Sequence, residues 1–125
     1  MTTSPIFIEL PWPDTRLSPN ARLHWAEKSR IAANTKAQAA WAARAANAHT
    51  LKGAKRLEAV ITFYPPNNRR RDMDNMIASV KSQIDGIASV VGVDDSRWVM
   101  SFMKGDTAHP HGCVSYAIFA LEAAE

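Results

Sequence analysis

A short stretch in the middle of the chain places three arginines directly before two aspartates. The residues are Arg69, Arg70 and Arg71, followed by Asp72 and Asp74. If this stretch is extended, carboxylates two positions apart point to the same side of the backbone. Carboxylate oxygens are hard ligands that suit Mg²⁺ or Mn²⁺, and guanidinium groups bind phosphates, in a bidentate way where the geometry allows. The stretch therefore indicates a site that binds phosphates and holds a divalent ion against one of them.

A second pair of carboxylates, Asp94 and Asp95, follows about twenty residues later. A predicted helix of roughly seventeen residues, about 25 Å long, separates the two pairs. They can meet only if the chain turns back, for example if the second pair leads into a strand beside the predicted strand 57–65. A metal ion held by such carboxylates can activate water for attack on a phosphodiester. The alternative is that Asp72 and Asp74 only shape a turn and cap a helix.

Lys81 is a further candidate, seven residues after Asp74 and about two turns along the same helical face. Because helical side chains tilt toward the N-terminus, Lys81 could lean back toward the carboxylates and stabilise the attacked phosphate. The simpler alternative is a surface ion pair with Asp85, four residues further on. The sequence leaves both interpretations open.

Two other acidic motifs do not fit this stretch. A calcium-binding EF-hand loop would have an acidic residue near its fifth position and glycine at its sixth, where this chain has Met76 and Ile77. An aspartyl nucleophile of the phosphatase type usually ends an apolar strand, whereas arginines precede the aspartates here. His109 and His111 flank Pro110 in a predicted loop and are less favoured candidates for metal ligands.

Charge is distributed unevenly along the chain, whose net charge is +3. Residues 1–71 hold twelve Lys and Arg and four acidic residues, for a net charge of +8, whereas residues 72–125 hold three basic and eight acidic residues, for −5. A basic half suits a polyanion such as nucleic acid, and clustered aspartates suit a divalent cation. Arg16 and Arg22, in a predicted loop, join the central arginines as candidate DNA contacts. The alternative is a pair of oppositely charged, merely solvated helices.

The composition is that of a single globular domain spanning residues 1–125. The chain is 46% hydrophobic and 22% charged, enough apolar material for a core and too little charge for a disordered segment. The N-terminus lacks the basic region of a signal peptide, and no apolar run approaches the roughly 20 residues of a membrane span. Cys113 is the only cysteine, which excludes an intrachain disulfide and a cysteine-based zinc site and suits a reducing cytoplasm.

Hydrophobic periodicity predicts an α+β (mixed α/β) fold with the order β-α-β-α-β-β, in which two main helices cover a mixed sheet. The expected caps of the second helix are Asp74 or Asn75 at its start and Gly92 at its end. We expect the last two strands to pair in an antiparallel way. The predicted strands are 6–10, 57–65, 98–104 and 113–122, and the predicted helices are 25–48 and 75–91.

Several apolar residues of the long alanine-rich helix are predicted to face the core: Trp25, Ala32, Ala37, Ala40 and Trp41. His24 and Trp25 also stand beside a basic loop that could approach DNA. The favoured interpretation is a buried tryptophan and a hydrogen-bonded histidine.

Three segments together resemble the RusA family of Holliday junction resolvases, which are often associated with phages or prophages. The segments are "LPWPDTR", "RRRDMDNMIASVKSQIDGI" and "VGVDDSRW", and the resemblance runs over most of the chain. It implies a homodimeric, Mg²⁺-dependent endonuclease, with Mn²⁺ as a possible substitute, that nicks opposing strands of a four-way DNA junction.

The same resemblance implies that Asp72, Asp74 and one of Asp94 and Asp95 are metal-binding catalytic carboxylates, and we prefer Asp95. One position departs from the family pattern, because the best-known members carry a lysine four residues after the second aspartate, where this chain has Ala78. Lys81 is the nearest substitute as a catalytic lysine.

The first hypothesis is therefore a structure-selective DNA endonuclease of the RusA type, acting in DNA recombination and repair. The second is a non-catalytic dimer that binds DNA junctions, and metal-dependent cleavage distinguishes the two. A third hypothesis, a nuclease that acts on flaps or forks, shares the site and differs in substrate.

Overall fold

The computed structural model describes residues 5–106 and 110–121. The predicted α+β class is confirmed: helices lie against a four-stranded mixed sheet. The strands and helices, in chain order, are β1 (Ile6–Pro11), α1 (Trp25–Ala45), β2 (Arg56–Tyr64), α2 (Met73–Ser79), α3 (Lys81–Val91), β3 (Trp98–Lys104) and β4 (Cys113–Leu121). The predicted end of the last strand, Glu122, and the loop residue His109 lie outside the described residues.

The sheet has the strand order β1-β4-β2-β3. Strand β4 is antiparallel to both β1 and β2, whereas β2 and β3 run parallel, with Leu57 opposite Trp98 and Phe63 opposite Lys104. The prediction that β3 and β4 form an antiparallel pair is wrong. Helices α2 and α3 carry the chain back to the end of the sheet where β2 begins. Strand β3 therefore runs parallel to β2, as such a crossover connection requires. Strand β4 then lies between the two earlier strands.

The core lies between one face of the sheet and helices α1 and α3. Alternate residues of β2 and β4 are fully buried there because successive strand side chains point to opposite faces. Those of β2 are Leu57, Ala59, Ile61 and Phe63, and those of β4 include Tyr116 and Ile118. A buried polar contact ties the layers together: Gln83 of α3, 3% exposed, donates to the Pro11 carbonyl oxygen and accepts from the Tyr116 hydroxyl.

Helices α1 and α3 approach each other closely at Gly86. A Cβ atom at this glycine would lie 2.3 Å from the carbonyl oxygen of Lys36 and 2.8 Å from the Cβ of Ala39. The side of α1 that packs inward carries Ile31, Ala39 and Ala43, spaced by multiples of four residues. Small side chains on both helices therefore allow the close packing.

The predicted core face of α1 is mostly wrong. Trp25 is 74% exposed and Trp41 is 71% exposed, and Ala37 is exposed as well. Ala40 is buried as expected, and Ala32 is half-buried. A large ring would not fit where the backbone of α1 comes so close to Gly86, so the inward positions are taken by alanines.

The predicted helix 75–91 is divided into two helices at Val80. The backbone of this residue (φ −100°, ψ 7°) leaves the helical region, and its N–H donates to the carbonyl oxygens of Ile77 and Ala78. Asp72, and not the expected Asp74 or Asn75, is the N-cap of α2. The predicted C-cap is confirmed, because Gly92 adopts the left-handed conformation with φ 71°. Within the described ranges, no helix has the length and apolar character needed to span a membrane.

Candidate nucleic-acid interface

The central arginines line an open pocket of about 600 Å³. One wall is the segment that follows β1, from Trp12 to Ala21, and the other is the loop between β2 and α2. The arginines and Asp72 come from that loop, and Met76 and Ser79 of α2 form part of the floor. The stiff, proline-containing ends of both β1 and β2 thus direct two polar loops into one concave surface.

Arg71 is held firmly in this pocket and is not free to follow a ligand. One guanidinium nitrogen donates to the carbonyl oxygens of Asn67 (3.0 Å) and Arg69 (3.2 Å), and the other donates to the side-chain oxygen of Asn67 (2.9 Å). Its guanidinium carbon lies 5.3 Å from the ring centroid of Trp12, a cation–π distance. Burial, followed by the nearby Arg69 charge, lowers the pKa of Arg71. Arg71 therefore fastens the loop to Trp12.

Arg69 and Arg70 are exposed, and within the part of the chain that the structure describes no carboxylate pairs with their side chains. The side-chain oxygen of Asn67 accepts a hydrogen bond from the backbone N–H of Arg69, which shapes the loop but leaves the guanidinium group free. Two unpaired guanidinium groups that line an open pocket are well suited to bind phosphate oxygens.

Asp72 and Asp74 lie at the N-terminal end of α2, close to these arginines. One Oδ atom of Asp72 accepts from the backbone N–H of Asp74 at 3.0 Å, so the capping alternative for Asp72 is realised. Asp74 lies in the first helical turn and is exposed. The two carboxylates do not stand on one extended segment, the condition under which they would point to the same side, because the helix begins at Met73. Both carboxylates nevertheless stand at the same helix end, where the helix dipole favours negative charge.

Lys81 contacts two carboxylates at the start of α3 and in the turn before β3. Its ammonium group is hydrogen-bonded to Asp95 and lies 3.0 Å from an Oδ atom of Asp85. Of the two interpretations that the sequence leaves open, the surface ion pair with Asp85 is present and is extended by Asp95, and the contacts of Lys81 are not with Asp74. The hydrogen bond that Lys81 donates to Asp95, followed by the one that it donates to Asp85, raises the pKa of Lys81. The ion pair thus joins the start of α3 to the turn before β3.

Asp94 and Asp95 line a different pocket, of about 420 Å³, beside Lys36 and Asp85. Asp94 caps the short 3-10 turn Asp95–Arg97 by accepting from the backbone N–H of Ser96 at 3.0 Å and from its hydroxyl group. The hydroxyl hydrogen bond is the main cause of a lowered pKa for Asp94. The turn leads into β3, which lies beside β2, as the sequence analysis suggested for a meeting of the two carboxylate pairs. Because β2 and β3 are parallel, however, the turn lies at the end of the sheet where β2 begins. The pocket that holds Asp72 opens where β2 ends.

Within residues 5–106 and 110–121, no three His, Cys, Asp or Glu side chains come close enough together to hold a metal ion. The structure therefore does not bring Asp72 and Asp74 together with Asp94 and Asp95. Asp72 and Asp74, without the second pair, fit Mg²⁺, which is commonly bound by one or two carboxylates and keeps water and substrate phosphate as its other ligands.

The two N-terminal arginines differ in their surroundings. Arg16, predicted to contact DNA, forms a forked pair with Asp14 (3.1 and 2.8 Å) and also contacts Glu27 at 3.4 Å. The Arg16 side-chain hydrogen bond lowers the pKa of Asp14. Arg22 is exposed, and no described residue pairs with its side chain. Arg22 is therefore the better candidate for a phosphate contact.

Trp12 and Asn67 were missed as parts of the site by the sequence analysis. Trp12 lines the pocket, lies under Arg71 and makes an edge contact with Phe63, with ring centroids 6.1 Å apart. Its position between two prolines at the end of a strand was the available signal. His24 is hydrogen-bonded as predicted, but Trp25 beside it is exposed. His111 is exposed, Cys113 is buried, and His109 lies outside the described residues.

Comparison with known proteins identifies a relative in Xylella fastidiosa (strain Temecula1 / ATCC 700964), named only as an uncharacterized protein. It is 43% identical over 116 residues, which cover 91% of this chain and 76% of the relative. No family model matches the chain. Because the match extends over nearly the whole chain, the chain belongs to the same protein family as this Xylella fastidiosa protein.

Proposed function

We propose that the protein is a Mg²⁺-dependent endodeoxyribonuclease of the RusA type, which resolves four-way DNA junctions by paired nicks. The observation that carries the proposal is the pocket that the unpaired Arg69 and Arg70 line together with Asp72. Asp74 lies in the first turn of the helix that Asp72 caps. Unpaired cations suit the phosphate backbone, and adjacent carboxylates suit the metal that such cleavage requires. The resemblance to the RusA family and the basic first half of the chain support the same proposal.

The chain's own residues have separate tasks in this proposal. Arg69 and Arg70 bind phosphate oxygens on the DNA strand and so position it in the pocket. Arg71, stacked on Trp12, keeps the loop in place while the strand binds. Asp72 and Asp74 would hold Mg²⁺, which when bound supplies an activated water and stabilises negative charge on the attacked phosphate.

The remaining predicted residues enter the proposal with less direct support. Lys81 and Asp95 bind each other, and Asp94 caps a turn. Their catalytic roles stay predictions from the resemblance. Homodimeric assembly also belongs to the proposal, because a two-fold dimer matches the symmetry of a four-way junction. Action in the cytoplasm, in DNA recombination and repair, completes it.

A non-catalytic junction-binding protein is the second candidate. It is favoured by the engagement of Lys81 with Asp85 and Asp95 and by Ala78 at the position where the resemblance implies a lysine. Such a protein would keep the arginines as a DNA-binding surface and would not cut.

A cleavage assay separates the candidates. An end-labelled synthetic four-way junction, a matched linear duplex and a flapped duplex are each incubated with Mg²⁺, with Mn²⁺ or with EDTA. We expect paired nicks in the junction alone and only with a divalent ion. Binding without cutting under every condition would favour the second candidate, and cutting of the flap instead of the junction would change the substrate.

The matched variant is Asp74→Asn, which keeps the size of the side chain but removes its charge. We expect cleavage to be lost, and junction binding to be unchanged or tighter because a negative charge near phosphate is gone. Glu58→Gln, on strand β2, serves as the control for the removal of one negative charge and should cut like the wild type. Full cleavage by Asp74→Asn would refute the assigned metal site.

A further inference from the structure

An exposed aromatic pair stands at the start of α1. The Trp25 ring is stacked on the ring of His24, with centroids 5.8 Å apart and an angle of 30° between the ring planes. The stack is held in place because His24 is the N-cap of the helix, and its Nδ1 atom accepts from the backbone N–H of Ala26 at 3.2 Å. One face of the tryptophan ring is thus supported by a fixed partner.

Trp25 is 74% exposed although it is among the largest apolar side chains of the chain. It borders a pocket of about 320 Å³, whose walls include Leu17, Ala32 and Ala78. Lys28 also lines this pocket, and its ammonium group lies 3.4 Å from the carbonyl oxygen of Ser18. An exposed aromatic face above a small, largely apolar pocket suits one planar ring better than it suits a duplex.

The pocket beside Trp25 and the arginine pocket adjoin each other. Ser79 lines both pockets, and Leu17 and Ser18, neighbours in the chain, line one each. The unpaired Arg22 lies three residues before Trp25. A strand whose phosphates lie against Arg69 and Arg70 therefore has a basic route toward Trp25, with charge complementary to its own.

We propose that the His24–Trp25 pair is a binding site for an unpaired nucleobase of the DNA strand whose phosphates contact Arg69 and Arg70. The inference rests on the proposed function, since it names the form of DNA that the surface recognises. Stacking of a base on an aromatic side chain is independent of sequence because every base has a π-face, and within a closed duplex both faces of a base are already covered. The site selects DNA in which a base is available, as it is at a branch point or in a single strand.

Trp41 provides a matched control on the same helix. It is 71% exposed, nearly as much as Trp25, and lies sixteen residues further along α1, which corresponds to about 24 Å. Trp41 lines neither pocket. The variants Trp25→Ala and Trp41→Ala thus remove the same side chain at similar exposure.

The test uses two labelled single strands of equal length, one of oligothymidylate and one built from abasic sites, with binding measured by fluorescence anisotropy in EDTA. We expect Trp25→Ala to weaken binding of oligothymidylate by about 5- to 150-fold, the range of one base–aromatic stack. Binding of the abasic strand should not change, because its phosphates are the same. Trp25→Phe should retain most of the affinity, and Trp41→Ala should behave like the wild type on both strands.

Several results would overturn the inference. These are unchanged binding of oligothymidylate by Trp25→Ala, an equal loss on both strands, or an equal loss for Trp41→Ala. Dissociation of a dimer by Trp25→Ala, seen in sedimentation, would assign the surface to a second copy of the chain. If the wild-type protein binds the four-way junction and Trp25→Ala binds it equally well, this inference alone is refuted. A wild-type protein that binds no DNA refutes the proposed function with it. Thermal unfolding of each variant verifies that the fold is intact.

Discussion

Arg70 and Arg71 are neighbours in the chain and have opposite surroundings. Arg70 is exposed and unpaired among the described residues, whereas Arg71 is fixed by Asn67 and stacked on Trp12. Residue type alone assigned both to phosphate binding. The structure separates a residue free to contact a ligand from one that holds the loop.

This difference predicts that two alanine variants change different properties, DNA binding in one and stability in the other. Arg70→Ala should weaken binding to junctions of all sequences to a similar extent and should reduce the salt dependence of binding by about one counterion. Its stability should not change. Arg71→Ala should lower the free energy of unfolding by about 1–2 kcal/mol, because hydrogen bonds and the contact with Trp12 are lost. Anisotropy titrations and urea unfolding measure the two effects. A sequence-specific loss for Arg70→Ala would mean that this residue reads bases.

Asp14 predicts a pH dependence of stability. Its pKa is lowered in the folded state by the Arg16 hydrogen bonds, so the carboxylate contributes stability above its unfolded pKa of about 4 and loses that contribution as pH falls through the folded pKa. Asp14→Asn keeps an oxygen that can accept from the backbone N–H of Arg16 and removes only the charge. We expect this variant to unfold at lower urea concentration than the wild type near pH 7 and to match it at about pH 2. An equal difference at both values would assign the effect to packing.

At the scale of elements, the close crossing of α1 and α3 is the feature most sensitive to a single methyl group. By helix propensity alone, Gly86→Ala would stabilise the protein by about 1 kcal/mol. The added Cβ would meet the Lys36 carbonyl oxygen at 2.3 Å, so we expect instead a loss of about 1–3 kcal/mol from overpacking. Thermal unfolding gives the sign directly. A more stable variant would show that the helices do not approach as closely as described.

The sequence predicted the elements better than their connections. The alternation in 57–65 and the glycine at position 92 locate a strand and a helix end because the signals are local. The break at Val80 has no such signal, since an apolar residue at that position continues the helical pattern. The pairing of β3 was mispredicted because neighbouring strands often form hairpins, whereas here the crossover through α2 and α3 fixes a parallel neighbour.

In the candidate site, too, features set by neighbouring residues were predictable and contacts between distant residues were not. Arg69 and Arg70 lie beside Asp72 because they are adjacent in the chain, so the sequence was sufficient to place them together. The contact of Arg71 with Trp12 joins residues 59 positions apart, and no local pattern could reveal it. The pairing of Lys81 with Asp95 depends on how α3 packs against the turn before β3.

At the scale of the whole molecule, three arginines have no ion-pair partner among the described residues near the arginine pocket and the pocket beside Trp25: Arg22, Arg69 and Arg70. If each neutralises one phosphate, the logarithm of the binding constant should fall with the logarithm of salt concentration with a slope of about −3 per chain and about −5 for a dimer. Sedimentation of the free protein fixes the number of chains. A triple alanine variant should lose most of this slope. A slope that the variant leaves unchanged would move the DNA-binding surface elsewhere.

The central position of β4 in the sheet has a consequence for how the chain is made. Strand β1 pairs only with β4 among the described strands, and Ile6 lies opposite Ile118, more than a hundred residues away. While the ribosome is still adding the residues after β3, the first strand has no partner and the second has an open edge. Contacts this distant in sequence form slowly. The sheet can therefore be completed only after synthesis of its last strand. A chain that ends before β4 would leave open the two further edges, on β1 and β2, that β4 covers, and would be prone to aggregation and proteolysis.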